Sequence, residues 1–413
     1  MTETGRPGQS LYAPQARLVD PTSGTVLEDA NDDIASIRIQ QVNHGVSQVT
    51  VTLNNQQTFP ANPRFPPWQY NDMQAFKFGQ RVRVDFRYGG EAQWTPMILA
   101  RITDLQFTFP VGAGATLAVV GEDLLSLLKI QDPQQKDNPY RDQQEVDIVN
   151  DCVRRAGVQA ALPLGQPLKQ RDVFSNPLTS EVHQKSQTFL QFIQQLGERL
   201  DYEVFVDFDA RQVPEDAQPN QPRVELHFEP ARSLVLQDVV DLSWGTNLVS
   251  FTPRFKIWEQ YTQVTTKGRD PRRRQTVTGQ AEESAVTEDL QSEGDTTPES
   301  AISLRRRFFA DDQPENPYST SVTNLDADRA TVNAKKLLRD RAREFISAEG
   351  STIGFTAIRP GVHINVQGLR APFDGLYYVT KAVHTLDSGG YKTSFTVRRP
   401  GMLPPEGYLA GEG

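Results

Sequence analysis

The C-terminal stretch 350–399 constrains the fold of this chain most strongly, because its residue pattern fits only β-structure. Val362, Ile364 and Val366 alternate with polar residues, as a half-buried strand requires. Residues 376–390 continue with a run rich in Tyr, Val and Thr that ends in Asp-Ser-Gly-Gly, residues that tolerate the positive φ of a tight hairpin turn. The stretch therefore predicts a β-meander made to pair with other strands, and it contains no catalytic motif.

Short strand patterns also occupy residues 35–130, where apolar residues alternate with polar ones between glycine-containing turns. This spacing is typical of a small barrel or sandwich. Residues 236–267 are again rich in strand-forming residues, and together with 350–400 they would complete a second barrel that is split in the sequence. The polar, proline-containing residues 1–34 predict a flexible N-terminal arm, and 401–413 a C-terminal tail.

Helical patterns lie between the two predicted barrels. Residues 186–200 carry one apolar stripe at helical spacing, and a strand pattern follows at once, so 131–235 is predicted to be a helix-containing α/β insertion domain. Residues 268–349 contain charge blocks of alternating sign and few apolar residues, which predicts a flexible insertion that ends in a helix over 326–348. The predicted fold class is α+β, mostly β.

Bulk properties exclude several classes of protein. The 413 residues have a mean hydropathy of −0.53, and no stretch is long and apolar enough to cross a bilayer, so stable membrane insertion is not expected. The N-terminus has no apolar signal segment, and the single Cys152 excludes a disulfide framework within the chain; synthesis in the cytoplasm is expected. A formal net charge of −9 argues against specific or general nucleic-acid binding.

No catalytic, cofactor-binding or metal site is predicted, and the chain is not expected to be an enzyme. The five histidines are dispersed, and no HExxH, GxSxG or phosphate-binding loop is present. One charged cluster leaves two interpretations open: solvated loop charges, or a docking patch for an acidic partner, which adjacent aromatics favour. The cluster consists of Arg305, Arg306, Arg307, Phe308 and Phe309.

A set of short motifs in 350–399 resembles the C-terminal signature of the phage late control gene D family, the tail hub proteins of contractile phages and related injection machines. It is also similar to the hub portion of VgrG spike proteins. The residues that carry the resemblance are Arg359, Pro360, Gly361, Phe373, Asp374, Gly375, Tyr377, His384, Gly390, Tyr391 and Phe395. The helix–strand unit at 186–209 resembles an element that these proteins carry between their barrels.

The resemblance implies two tail-tube-like β-barrels with an insertion domain, and a homotrimer that joins a hexameric inner tube to a trimeric spike. The implied partners are a second copy, an inner tube or tube-initiator protein, a spike and baseplate wedge proteins, within a phage tail or a tail-like injection particle. The sequence stops fourteen residues after Arg399, where a VgrG would continue into its spike, so a separate spike protein is expected.

Three alternatives belong to other classes of protein: a tail-associated cell-wall hydrolase, a VgrG-like component that carries effectors, and an adhesin built of β-sandwiches. A rigid, buried carboxyl group in a cleft would favour the hydrolase. Adhesins usually carry an export signal, which this N-terminus lacks.

Overall fold

The computed structural model describes residues 14–56, 68–88, 93–132, 139–141, 143–165, 182–184, 186–208, 224–230, 239–270, 273–287, 290, 298–322 and 327–403. The predicted N-terminal arm and C-terminal tail lie partly outside these ranges, at 1–13 and 404–413.

The described chain is mostly β. Its strands are β1 (Pro14–Val19), β2 (Ile34–Val42), β3 (Gln48–Asn54), β4 (Arg81–Tyr88), β5 (Thr95–Thr108), β6 (Thr116–Asp123), β7 (Tyr202–Phe208), β8 (Val224–Pro230), β9 (Val239–Ser243), β10 (Leu248–Phe255), β11 (Gln263–Arg269), β12 (Thr276–Ala281), β13 (Glu299–Ser300), β14 (Pro317–Val322), β15 (Ile346–Ile353), β16 (His363–Gln367), β17 (Gly375–Asp387), β18 (Gly390–Arg399) and β19 (Gly401–Met402). Its helices are α1 (Glu28–Asp32), α2 (Glu145–Arg155), α3 (Phe189–Leu200), α4 (Ser284–Thr287), α5 (Ala301–Phe308) and α6 (Ala327–Arg343), with a 3-10 helix at Leu124–Leu128.

One 12-stranded sheet runs through both barrels in the order β1-β4-β5-β6-β3-β2-β17-β18-β15-β10, and β16 and β9 branch from β17. The strands β1 to β6 enclose one apolar core, to which Ile37, Val51, Val84 and Leu117 belong. The strands β9, β10 and β15 to β18 enclose a second core around Ile364, Tyr377 and Val397. The alternation that the sequence shows in these segments produces this arrangement, because every second side chain of a strand faces the core.

The two barrels repeat the same strand order. In the first barrel it is β4-β5-β6-β3-β2, and in the second it is β16-β17-β18-β15-β10, with every neighbouring pair antiparallel. The sixth strands differ, because β1 pairs antiparallel with β4 whereas β9 pairs parallel with β16. The five-strand repeat makes β5 equivalent to β17 and β2 equivalent to β10.

The positions of the β-bulges support this equivalence. The β5–β6 and β17–β18 ladders each shift register once midway along the longer strand, between Ile102 and Asp104 in β5 and between Val379 and Lys381 in β17. The β2–β3 and β10–β15 ladders each shift once near a strand start, between Ile34 and Ser36 in β2 and between Leu248 and Ser250 in β10. Because a bulge reverses which face the following residues occupy, matching bulges define a residue-by-residue alignment of the two barrels.

An α/β unit follows the first barrel, where the sequence predicts the insertion domain. The helices α2 and α3 pack on the β7–β8 hairpin around Ile148, Phe192, Leu196 and Leu226. Cys152 is a free, fully buried member of this core. The helix α3 begins at Phe189 and not at the predicted residue 186, because Thr188 is its N-cap and forms a capping box with Gln191.

The predicted flexible insertion at 268–349 is wrong for its described residues. They form a three-stranded sheet in the order β12-β11-β14, with α4, α5 and α6 packed around Val264, Val286 and Leu338. The final helix also ends earlier than predicted, at Arg343, because Ile346 begins a strand of the second barrel. Within the N-terminal arm, β1 pairs with β4, so residues 14–19 are part of the first barrel.

Within the described part of the chain, no helix is long and apolar enough to span a membrane.

Candidate assembly surface

The joint between the barrels is a strand pairing. β2 of the first barrel pairs antiparallel with the second half of β17, from Lys381 opposite Val42 to Leu386 opposite Ile37. The Leu386 and Tyr391 side chains then pack against the core of the first barrel, and the Tyr391 ring meets Phe86 edge-on at 5.1 Å between centroids. The joint therefore combines a backbone ladder with shared apolar packing, which fixes the two barrels relative to each other.

Arg359 reinforces this joint from a loop of the second barrel. Its guanidinium donates to the carbonyl of Pro96 in β5 at 2.7 Å and, through Nε, to its own loop at Thr356 at 3.0 Å. A further guanidinium nitrogen lies 4.0 Å from the carboxylate of Asp207 in the α/β unit. One signature side chain thus contacts both barrels and the α/β unit.

A buried hydrogen-bonded group lies beneath the joint. His384 Nδ1 is 2.8 Å from the Tyr391 hydroxyl and 3.2 Å from Thr393 Oγ1. Burial, with the positive charge of Arg359 as a smaller cause, lowers the pKa of His384 to about 3. Burial also raises the pKa of Tyr391, so a protonated tyrosine hydroxyl and a neutral imidazole share this hydrogen bond. His384 therefore has a structural role.

Glu203 is a buried residue between the α/β unit and the barrels that the sequence analysis missed. It lies buried in β7, where it accepts from the Tyr378 hydroxyl at 2.7 Å and from the Asn43 amide at 2.9 Å. These contacts fix the α/β unit onto both barrels at once. The available signal was a carboxylate inside the otherwise apolar strand YEVFV, because a charge in a buried strand needs partners from another element.

The loop before β17 is closed by Asp374. Its carboxylate accepts from the backbone N–H groups of Leu369 at 2.7 Å and Gly368 at 3.1 Å, and its carbonyl accepts from Arg399 at 2.8 Å. The hydroxyl of Tyr377 donates to the carbonyl of Phe373 at 2.8 Å. The two contacts of the Asp374 carboxylate explain why an aspartate follows Phe373 at this bend.

The remaining signature residues form turns and core of the same barrel. Pro360 and Gly361 form the bend before β16, where Gly361 adopts a φ of 91° and donates to the Val379 carbonyl. Gly375 and Gly390 begin β17 and β18. Phe395 is buried against Gly350, whose missing Cβ leaves the space for its ring. The structure thus brings all eleven residues together in the second barrel and its joint.

The predicted docking patch at the end of α5 is only partly a surface feature. Arg305 is buried and donates to the carbonyls of Trp258 and Gln313, so neither sequence-based interpretation holds for it. Arg306 pairs with Glu283 and Glu315, and Arg307 pairs with Glu299. The exposed aromatic of the patch is Phe308, at 37% exposure, and the neighbouring exposed Trp258 meets the ring of Phe309 edge-on. Its neutralised arginines weaken the case for an acidic partner.

A broad polar face covers the outer side of the joined sheet, across β5, β6, β3, β2, β17, β18, β15 and β10. Three apolar residues also lie on it, Ala118, Val120 and Val383. Its uncharged polar residues are Gln106, Thr108, Thr52, Thr50, Gln48, Gln40, Thr385, Ser394, Thr396, Ser351, Ser250 and Thr252. Exposed charges of both signs, such as Arg38, Asp104, Glu349 and Lys392, lie among them. A surface of this composition is mostly hydrated, although Ser351 is buried, in contrast to the apolar cores on its other side.

Among the described residues, no cluster of three or more His, Cys, Asp or Glu side chains could hold a metal ion.

No family model matches the sequence, and no curated protein does. The structure is similar to a tail protein from Neisseria meningitidis MC58, at 11% identity and a TM-score of 0.60, over 95% of this chain and 98% of that one. It is also similar to the 43 kDa tail protein of prophage MuSo2 from Shewanella oneidensis, at 14% identity and a TM-score of 0.59, over 94% and 99% of the two chains. The chain has the fold of phage tail proteins.

A third tail protein, gp18 of a Listeria monocytogenes EGD-e prophage, matches at 9% identity and a TM-score of 0.50, over 93% of this chain and 94% of that one. The tail-protein fold confirms the fold class expected from the sequence, a mostly β chain with two barrels and a helix-containing unit. At these identities the similarity concerns the fold alone, so membership of the late control gene D family stays a prediction.

Proposed function

We propose that this chain is the structural hub of a phage-tail or tail-like injection baseplate, and that it works as a homotrimer. The single observation that carries the proposal is the repeated barrel. Each chain contains two five-strand units of the same topology, joined through strand edges. Three copies would present six such units, and a surface with six similar units matches a hexameric inner tube while the assembly keeps the threefold symmetry of a spike.

The polar outer face supports a ring with an open centre. It continues across the β2–β17 joint, where Arg38 and Gln40 lie opposite Thr385 and Val383 of the other barrel. If this face turns inward in the ring, the channel is lined mainly by Ser, Thr, Gln and charged side chains. Such a lining offers few apolar contacts to a passing polymer, so it would let cargo move without binding it.

The function is one of surface matching, without turnover of a substrate. The proposed partners are a second copy of the chain, an inner tube or tube-initiator protein, a separate spike and baseplate wedge proteins, in a phage tail or an injection particle. The signature residues support this role through the rigidity they give to the second barrel and its joint. Contacts of Arg359 and of the buried Glu203 hold the barrels and the α/β unit in one arrangement, and Asp374 closes a loop of the second barrel, as an adapter that transmits force requires.

Negative-stain electron microscopy of the purified chain tests the proposal. Class averages are expected to show rings with threefold symmetry and six similar lobes, and added inner-tube protein should stack on one side of the ring. Compact particles without a central opening would contradict a hub. Cleavage of peptidoglycan by the purified chain, lost on substitution of a buried carboxylate such as Glu203→Gln, would favour the hydrolase instead.

A further inference from the structure

In the described chain the large sheet has open strand edges at β1, β9, β10 and part of β5, and the barrel repeat relates the last two. Apart from a single bridge between Trp244 and Leu248, no described strand pairs with the second edge of β10. In β5, β4 and the turn residue Gly79 cover the second edge only as far as Ile102, and in the described chain no strand pairs with that edge over 103–108. Open edges are templates for pairing with another chain.

The open edges of β10 and β5 also expose apolar side chains. Along β10 and its flank, Val249 is 57% exposed and Phe255 is 37% exposed. Beyond the open half of β5, Phe109 is 49% exposed, and its ring stacks on that of Phe107. Phe109 and Phe255 lie on the side of the sheet that faces the barrel cores, because Phe107 and Phe251, at alternate positions of the same strands, pack partly against those cores. The two barrels are thus incompletely covered at two separate places.

The internal repeat indicates what belongs at these edges. The second half of β17 is covered by β2, and the equivalent half of β5 is uncovered. In the same way β2 is covered by β17, whereas the equivalent strand β10 is uncovered. Each chain therefore contains one completed barrel–barrel joint and the two halves of a second one, on different barrels.

We propose that β10 of one copy pairs antiparallel with residues 104–109 of the next copy, in the register of the β2–β17 joint. This rests on the proposed trimer and specifies its interface. Alignment of the repeats through their bulges places Asp104 opposite Lys256, Leu105 opposite Phe255, Gln106 opposite Arg254, Phe107 opposite Pro253, Thr108 opposite Thr252, and Phe109 opposite Phe251.

The chemistry of the paired residues fits this register. The side that faces the cores brings Leu105, Phe107 and Phe109 against Phe255 and Phe251, which buries the apolar surface that each copy exposes alone. The polar face of one copy continues into that of the next, and Asp104 meets a lysine. Pro253 has no backbone N–H, so it removes at most one bond from the ladder.

The interface is heterologous, because each copy gives a β5 edge to one neighbour and a β10 edge to the other. Such contacts close into a ring when a whole number of identical rotations, one per copy, makes a full turn. The repeat indicates that the partner is a second copy of this chain, because each copy carries both strand edges of the proposed interface.

Disulfide cross-linking tests the register. Gln106 and Arg254 are both exposed and face each other across the proposed interface, and native Cys152 is buried. The double variant Gln106→Cys/Arg254→Cys is expected to give a covalent trimer under mild oxidation, while each single variant gives no cross-linked product. Mixing the two single variants should give covalent dimers only, because each chain then carries one thiol of the pair.

Two matched variants control this experiment. Gln40→Cys/Val383→Cys places thiols at the equivalent positions of the joint within the chain, opposite each other in β2 and β17, so it should form a disulfide within one chain. Gln106→Cys/Ser250→Cys moves one exposed thiol four residues along β10, roughly 13 Å away, and should not cross-link.

The outcomes separate the interface from the proposed function. The proposed register is wrong if the protein is trimeric in solution but the 106/254 variant does not cross-link, or if the 106/250 variant cross-links equally well. Either result leaves the hub proposal standing. A protein that stays monomeric and uncross-linked at every concentration overturns both. Covalent trimers at 106/254 alone establish the pairing.

Discussion

His384 lies fully buried in β17, the strand that joins the two barrels. In an unfolded chain its pKa is about 6.5, whereas burial lowers the folded value to about 3. Between these values the unfolded chain binds a proton that the folded chain does not, so the free energy of unfolding falls as the pH falls. For this one group the loss is up to about 1.4 kcal/mol per pH unit.

Replacing this histidine should make the protein less sensitive to acid. We expect His384→Asn to lower the free energy of unfolding at pH 7.5, where it removes good packing, and to lose less additional stability than the wild type between pH 6.5 and pH 4.5. Urea unfolding at several pH values measures both effects. His363, whose pKa burial lowers to about 4, and Asp123, whose pKa burial raises to about 7, titrate in both proteins, so the difference between the curves isolates His384. Parallel curves would contradict the assignment.

Residue-level roles were only partly predictable from the sequence. The signature identified Arg359, Asp374 and His384, but their roles depend on partners from distant segments, such as the Pro96 carbonyl and the Tyr391 hydroxyl. The prediction for Arg305 is wrong because an arginine in a charged run is normally solvated. Here three backbone carbonyls, including that of Trp258, accept from its guanidinium, which offsets the loss of hydration on burial.

At the scale of elements, α6 connects the three-stranded sheet to the α/β unit. Near its start, Arg329 lies 3.0 Å from the carboxylate of Glu145, and at its end Arg343 binds both oxygens of Asp201 at 2.6 and 3.0 Å. All four side chains are at least nine-tenths buried. The helix is therefore held at both ends by buried ion pairs, in a segment whose charge content predicted flexibility.

Removing one member of the Arg343–Asp201 pair should be costly. Arg343→Ala leaves the Asp201 carboxylate buried with only the more distant Arg339, at 3.6 Å, so we expect a loss of about 3 kcal/mol in the free energy of unfolding. Arg341→Ala is the matched control, because its pair with Glu259 is exposed and should contribute less than about 1 kcal/mol. Chemical denaturation compares the two variants. Equal small losses would mean that α6 is not held by this pair.

Element type was predictable where apolar period and turn residues agreed, as in the β17–β18 hairpin with its Asp-Ser-Gly-Gly turn. The ends of elements were not predictable. Ile346, for example, continues the apolar pattern of α6 in the sequence, but in the structure it pairs with Phe255 and Arg399 in the sheet. The folded unit around α6 escaped prediction because its core uses small residues such as Ala285 and Ala334. Alanines among many charged residues do not stand out as a core pattern in the sequence.

At the scale of the whole molecule, the barrel repeat could not be read from the sequence. Equivalent positions carry unrelated residues: Ile37 and Ile39 of β2 correspond to Phe251 and Pro253 of β10. What repeats is the order of strands and the position of each bulge, and these are properties of pairing. The repeat becomes visible only when ladders are compared.

Truncation after Gly350 tests the dependence of the two barrels on each other. It removes the end of β15 and all of β16, β17, β18 and β19. The second barrel thus loses its core residues Ile364, Tyr377 and Val397, and β2 keeps only β3 as a partner. The first barrel also loses Leu386 and Tyr391 from its core. We expect no ring assembly and a first barrel that resists proteolysis only partly. Intact rings from this fragment would refute the assignment of 350–400 to the second barrel.

The native mass of the purified full-length chain, measured by light scattering or mass photometry over a dilution series, is the decisive test of the trimeric hub. We predict a species of three times the chain mass of 46.3 kDa that dissociates to monomers on dilution without a stable dimer. A closed ring of three is expected to behave in this way. The second copy forms one interface when it joins, whereas the third forms two, so the dimer is less stable than the trimer. A stable dimer or tetramer would contradict the trimeric hub.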